Sequence, residues 1–209
     1  MIYTSSHNAF KPKLPFRTYA ISGDHGRSAG YIGEFYSDLA PKMSFWKEWK
    51  ANVGIVPELE NNYFYIKKYW ETVLSFLDPQ EIFDELDGSV LLCYEPGDKF
   101  CHRHIVAAWF ELLLNKTIPE IEMNRLQFNC VTRPQYIKLY LERVIKESRN
   151  MNGLTSLRAL YLLDKAECFE KRASELERYS NKSQDSMRQK ACFLRCESIA
   201  VEYEHAIKF

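Results

Sequence analysis

The stretch SVLLCYEPGDKFCHRHIVAAWFELLL at 89–114 holds the change of hydrophobic period that decides the fold. Its first part, SVLLCY at 89–94, is apolar on both faces, follows Gly88 and stops at a polar loop. It is too short to be a helix of its own, and two-sided apolarity suits a central strand of a parallel sheet. From Cys101 to Leu114 apolar residues return at helical spacing, so a helix is expected there. A single turn between two buried elements therefore carries Glu95, Cys101, His102 and Arg103.

Working outward, IYTSS (2–6) and RTYAIS (17–22) are β-type runs, and the Gly-rich loop GDHGRSAG follows the second. Helices are expected over 44–52 and 61–77, the latter with Tyr63, Ile66, Tyr69, Trp70, Val73, Leu74 and Leu77 at three-to-four spacing. Asp78-Pro79-Gln80-Glu81 then starts another helix, with Asp78 as cap, Pro79 at the first helical position and Glu81 completing a capping-box pattern. Gly88 suits its left-handed terminus. The order is strand, strand, helices, strand, helix, which predicts an α/β fold with a small, mostly parallel sheet and flanking helices.

After Cys130 the texture changes. Helices are expected over 132–149, 154–179 and 186–207, the last two as an antiparallel hairpin, with no strand beyond 133. The expected division is an α/β domain at 1–130 and an all-helical C-terminal extension at 131–209, with 115–131 crossing between them.

Composition bounds the rest. The 209 residues are 46% hydrophobic and 27% charged, ordinary values for a folded chain. The formal net charge is zero, so no global field points to nucleic acid or membrane. A mild acidic excess before residue 131 is matched by a basic excess after it. No apolar run is long enough to span a bilayer, and MIYTSSHNAF lacks the pattern of a signal peptide. The six cysteines show no small-disulfide spacing, so free thiols in a reducing cytoplasm are expected.

In an open α/β sheet, ligands bind beyond the carboxyl ends of the strands. The strand at 89–94 delivers Glu95 there, and the loop delivers Cys101, His102 and Arg103 to a helix start, where N–H groups and partial positive charge favour anions and thiolates. Ser6 and His7 follow the first strand; Asp24 and His25 follow the second. If the strands are parallel neighbours, these sets meet in one cleft. The structural alternative is that Cys93 is core and that Arg103 only pairs with Glu95. Metal binding by Cys93, Cys101, His102 and His104 is set aside: seven residues separate the cysteines, unlike a zinc knuckle, and Cys93 is expected to point into the sheet. Walker, G-x-G-x-x-G, G-x-S-x-G and Cys-x5-Arg patterns are absent, and no cofactor is implied.

The segment LLCYEPGDKFCHRHIVAAW resembles the signature of the YeaO-like family of domains of unknown function, on Leu91, Leu92, Cys93, Glu95, Cys101, His102 and Arg103. IYTSSHNAF is similar to that family's first strand and turn, at Ser6 and His7. The resemblance covers about 1–115. It implies a compact α/β domain, implies no established activity, and favours a working site at Glu95, Cys101, His102 and Arg103.

The expected function is binding of a small anionic, phosphate-bearing ligand, a nucleotide or nucleic-acid end. Arg103, Ser6, His7, Asp24 and His25 would hold it, and Cys101, His102 and Glu95 are the candidate catalytic groups. The rival is a non-enzymatic protein whose tail at 131–209 grips a protein or nucleic-acid partner.

Overall fold

The computed structural model describes residues 1–12, 15–125 and 127–148, with Ala166 and Lys190. Strands are β1 (Tyr3–Ser6), β2 (Phe10–Pro12), β3 (Thr18–Ala20), β4 (Glu34–Phe35), β5 (Val90–Cys93), β6 (Glu120–Arg125) and β7 (Gln127–Val131). Helices are α1 (Met43–Ala51), α2 (Glu58–Thr72), α3 (Pro79–Glu85), α4 (His102–Leu114) and α5 (Tyr136–Glu147). The sheet order is β2-β6-β1-β5-β3-β4, with β7 on β6. Every pairing is parallel except β6 with β7, so the fold is α/β with a mostly parallel sheet.

β5 is central, hydrogen-bonded to β1 on one side and β3 on the other. That position explains its uninterrupted apolar run, since neither face of a central parallel strand meets water. Val90 and Leu92 join Phe10 and Ile121 in a cluster on one face. Alternation along the strand then sends Leu91 and Cys93 to the other face. α4 packs on β1 and β5. It is held in turn by α3, through Phe83 and Phe110 at 5.5 Å, and by α2, where Tyr69 meets the ring of His102 edge-on at 5.8 Å.

α3 starts as its sequence dictates. Asp78 accepts hydrogen bonds from the N–H groups of Gln80 and Glu81 at 2.8 and 3.2 Å, and Pro79 takes the first turn, where a missing N–H costs nothing. Gly88, at φ 75°, reverses the chain into β5.

Two expectations change. The helix foreseen over 61–77 ends at Thr72; Val73 adopts φ −130° and a short 3-10 turn covers Leu74–Phe76. The crossing segment at 115–131 contains the hairpin β6–β7, which extends the sheet. Ile121 is buried against Phe10 and Leu92 on one face, while Glu120, on the opposite face with exposed Glu122, is buried through a specific partner described below.

The chain forms two compact units, Met1–Leu141 and Glu142–Phe209, and the whole sheet lies in the first. Among the described residues no strand lies beyond Val131, and no helix is long and apolar enough to cross a membrane. The helices expected over 154–179 and 186–207, with Cys168, Cys192 and Cys196, lie outside the described residues. Cys93 and Cys101 are buried free thiols and Cys130 is an exposed one.

Candidate functional site

The register of the parallel strands brings their carboxyl ends level. Ser6 pairs with Cys93 and Ala20 with Leu92; beyond them His7 N–H donates to Cys93 C=O at 2.8 Å and Ile21 N–H to Leu92 C=O at 3.0 Å. Over the ends of β3 and β5 opens a cleft of about 580 Å³. Trp46, Trp49, Tyr65 and Phe100 give it an aromatic wall. Asp24, Lys50, Tyr94 and Glu95 also line it, together with Cys93, Cys101 and His102.

Cys101 occupies the N-cap of α4 in extended conformation, and its thiol makes no capping bond. Across from it, Cys93 Sγ lies 3.5 Å from His102 Nδ1. The other ring nitrogen of His102, Nε2, is 2.8 Å from the carbonyl oxygen of Ile21. A carbonyl can only accept, so Nε2 carries a proton, and in the neutral ring Nδ1 keeps the lone pair that faces Cys93. One ligand atom each from Cys93, Cys101 and His102 lie within 4.8 Å of one another. Burial pushes both thiols up. For Cys101 a hydrogen bond from Cys93 and the charge of Arg103 overcome this and place it well below the ordinary thiol range; Cys93, as donor to Cys101, stays well above it. Cys93 does not point away into the sheet, as its place in an apolar run suggested: the alternation that buries Leu92 on one face aims Cys93 at the start of α4.

Arg103 departs from expectation most clearly. It does not line the cleft and is fully buried. Its Nε and Nη2 donate to Glu120 Oε1 at 3.1 and 2.9 Å, and Nε also reaches Oε2 at 3.3 Å. His104 Nε2 stands 3.4 Å from Glu120 Oε2, so it too belongs to this group rather than to the thiols. Helix geometry is the cause: residues two apart on a helix are rotated by about 200°, so His102 and His104 cannot share a face. The expected partner, Glu95, is exposed at the cleft. Burial raises the Glu120 pKa, but His104 and the charge of Arg103 outweigh it and the carboxyl is held below its usual value.

The loop after β3 is built around Asp24. Its carboxylate accepts from Ser22 Oγ, the N–H groups of Gly26 and Ser28, and the hydroxyl of Tyr94. Burial opposes ionisation, yet these donors hold the carboxyl well below the usual range. Asp24 thus both lines the cleft and fixes the loop. His25 stacks flat on Phe35 at 3.8 Å and does not line the cleft. Ser6 is buried and its hydroxyl accepts from Ala9 N–H at 3.1 Å, a local turn contact that removes it from the cleft. His7 lies 5.2 Å from the rings of both Tyr31 and Tyr94 and lines a neighbouring cleft of about 680 Å³. Its pKa is lowered, chiefly by burial.

Of the eight predicted site residues, Glu95, Cys101, His102 and Asp24 share the main cleft; Arg103, Ser6, His7 and His25 do not line it. The sequence reading missed Cys93 as a site residue, the aromatic wall, and Glu120. The period-two pattern at 120–124 signals a strand but sets Glu120 on the same face as exposed Glu122, so its burial has no signal in the sequence.

An open, mostly parallel α/β sheet with a cleft at its carboxyl edge is the class that fold and site define. Comparison with protein-family models, with curated proteins and with solved structures returned no match.

Proposed function

We propose that the protein binds a small anionic ligand with a flat apolar part, a nucleotide being the class that fits, and acts on it at the floor of the main cleft. The observation that carries this reading is the cleft itself, which sets an aromatic wall beside the first turn of α4 and the Cys101–His102 pair. Trp46 and Trp49 offer faces on which a base can stack. The first N–H groups of α4 and the ammonium of Lys50 suit phosphate oxygens. Arg103 has no part in holding the anion, because it does not line the cleft and its Nε and Nη2 are committed to Glu120. His102 Nε2 is committed to Ile21, so Glu95, exposed at the cleft, is the group free to exchange protons with a ligand. The Leu-Leu-Cys-x-Glu and Cys-His-Arg pattern that resembles the YeaO-like family contributes four of the cleft residues, Cys93, Glu95, Cys101 and His102. The rival reading, a partner-gripping tail, falls mostly on residues outside those described.

A panel of nucleosides, nucleotides and short 5′-phosphorylated oligonucleotides, read by calorimetry and tryptophan fluorescence, tests the proposal. A phosphorylated member should bind, and Trp46→Ala and Lys50→Ala should each weaken it. Absence of binding by any member, in protein whose melting transition is intact, defeats it.

A further inference from the structure

We infer that Cys93, Cys101 and His102 form a three-coordinate zinc site whose fourth position opens into the cleft. It rests on the functional reading above only for what occupies that fourth position; the ion's three protein ligands are argued from the cluster alone. No ion is present, and the inference comes from how the three side chains are set.

The separations are those of a site that lacks only small adjustments. With Zn–S of about 2.3 Å and Zn–N of about 2.05 Å at tetrahedral angles, a sulfur and a nitrogen on one zinc stand about 3.6 Å apart, and two sulfurs about 3.8 Å. Cys93 Sγ and His102 Nδ1 are already 3.5 Å apart. No separation within the trio exceeds 4.8 Å, so closing on an ion asks for movements of about an ångström in the side chains, within the reach of cysteine rotamers.

The imidazole is prepared in the way metal-bound histidines are. Its Nε2–H is anchored on the Ile21 carbonyl at 2.8 Å, which fixes both the tautomer and the ring plane and leaves the Nδ1 lone pair directed at Cys93. The trio is also supported on rigid elements: a central strand, an N-cap and the first residue of a 13-residue helix. Ring contact with Tyr69, itself fully buried, holds His102 from the other side.

Two thiolates and one imidazole form a donor set that suits zinc, and three protein ligands with one open position are the arrangement of catalytic rather than structural zinc. All three ligand residues line the cleft. The fourth position would therefore take a water molecule or a donor atom of the bound compound, such as a phosphate oxygen. With the ion in place, Cys101 is a ligand and not a nucleophile, and the reactive position of the proposed function becomes the metal's open site.

The test uses the full chain, zinc and cobalt alone, and no organic ligand. Protein purified without chelator, or stripped and reloaded, should hold one zinc per chain by elemental analysis. Cobalt in its place should give thiolate charge-transfer bands and the intense visible bands of a four-coordinate site with sulfur ligands. N-ethylmaleimide with peptide mass spectrometry should show Cys93 and Cys101 protected by zinc while exposed Cys130 reacts equally with and without it. Cys93→Ser, Cys101→Ser or His102→Ala should abolish the bound ion, whereas serine at 130, 168, 192 and 196 together should leave it. These wild-type cobalt and labelling readings stand even where a ligand variant fails to fold. Failure to take up zinc stoichiometrically, zinc lost with the four-serine variant, or Cys93 and Cys101 labelling unchanged by zinc would each overturn the inference. Nucleotide binding to zinc-free protein would leave the functional proposal standing alone, so the two failures are distinguishable.

Discussion

Arg103 and Glu120 form a fully buried ion pair, with two guanidinium nitrogens on Oε1 at 3.1 and 2.9 Å, that ties the first turn of α4 to the start of β6. Glu120 is also the residue that pairs with Thr4 of β1, so one side-chain contact joins the helix to the sheet at the site where the β6–β7 hairpin begins. The pair sits next to the thiol cluster without being part of the cleft.

Breaking such a pair leaves a buried charge without its counterpart, whereas removing both charges does not. Arg103→Met should therefore cost about 3–5 kcal/mol of stability in urea unfolding. Glu120→Leu alone should cost a similar amount, because it strands the guanidinium. The double variant Arg103→Met/Glu120→Leu should be clearly more stable than either single one. Additive losses in the double-mutant cycle would show that the two groups act independently.

Acid sensitivity follows from the same carboxylate. Glu120 is held below its ordinary value of 4.5, so between its folded and unfolded pKa values the unfolded chain binds more protons. Its contribution is full above the unfolded value and is lost as pH falls through the folded one. Melting temperatures measured from neutral pH downward should fall more steeply below about pH 5 for the native chain than for Glu120→Gln. The variant starts lower at neutral pH, and the two curves should converge on acidification. Parallel curves would place the acid-labile group elsewhere.

How much of this was legible follows from which residues take their partners nearby in sequence. The α3 start was readable because Asp78 caps the N–H groups two and three residues ahead. β5 was readable because a central strand is apolar on both faces. The convergence of Cys101, His102, Asp24 and Glu95 followed from the rule that parallel strands end at one edge. The partner of Arg103 was not readable, since it lies 17 residues away in a segment whose strand pattern is short and includes a buried charge. Cys93 was read as a buried residue of the strand, and it is one; that it also lines the cleft was not readable, because composition tells that a residue is buried but not which face it serves. The aromatic wall came from Trp46, Trp49, Tyr65 and Phe100, which at helical spacing or in a loop are indistinguishable from core.

Asp24 offers a separate test of the cleft's shape. Its carboxylate collects bonds from Ser22, Gly26, Ser28 and Tyr94, and so fixes the loop that faces α1 across the opening. Asp24→Ala should lower stability by about 1–3 kcal/mol and raise amide hydrogen exchange at 22–28 while leaving β5 protected. Tyr94→Phe removes only one donor and should cost about 1 kcal/mol. Equal exchange across the loop in Asp24→Ala and the native chain would show that backbone turns alone hold it.

Gly26 makes the sharpest backbone prediction. Its φ is 78°, and a Cβ there would stand 2.8 Å from His7 Cε1 and 2.9 Å from Tyr31 Cβ. Gly26→Ala therefore carries two costs: about 1 kcal/mol for a left-handed conformation and a further amount for overlap with side chains wedged between the two clefts. The overlap can be relieved separately. His7→Ala in the Gly26→Ala background should recover part of the lost stability, while His7→Ala alone should destabilise by removing ring contacts with Tyr31 and Tyr94. A positive coupling between the two substitutions, measured by urea unfolding, is the expected result. Strict additivity would mean that His7 yields freely and that the cost lies in the left-handed backbone and the overlap with Tyr31.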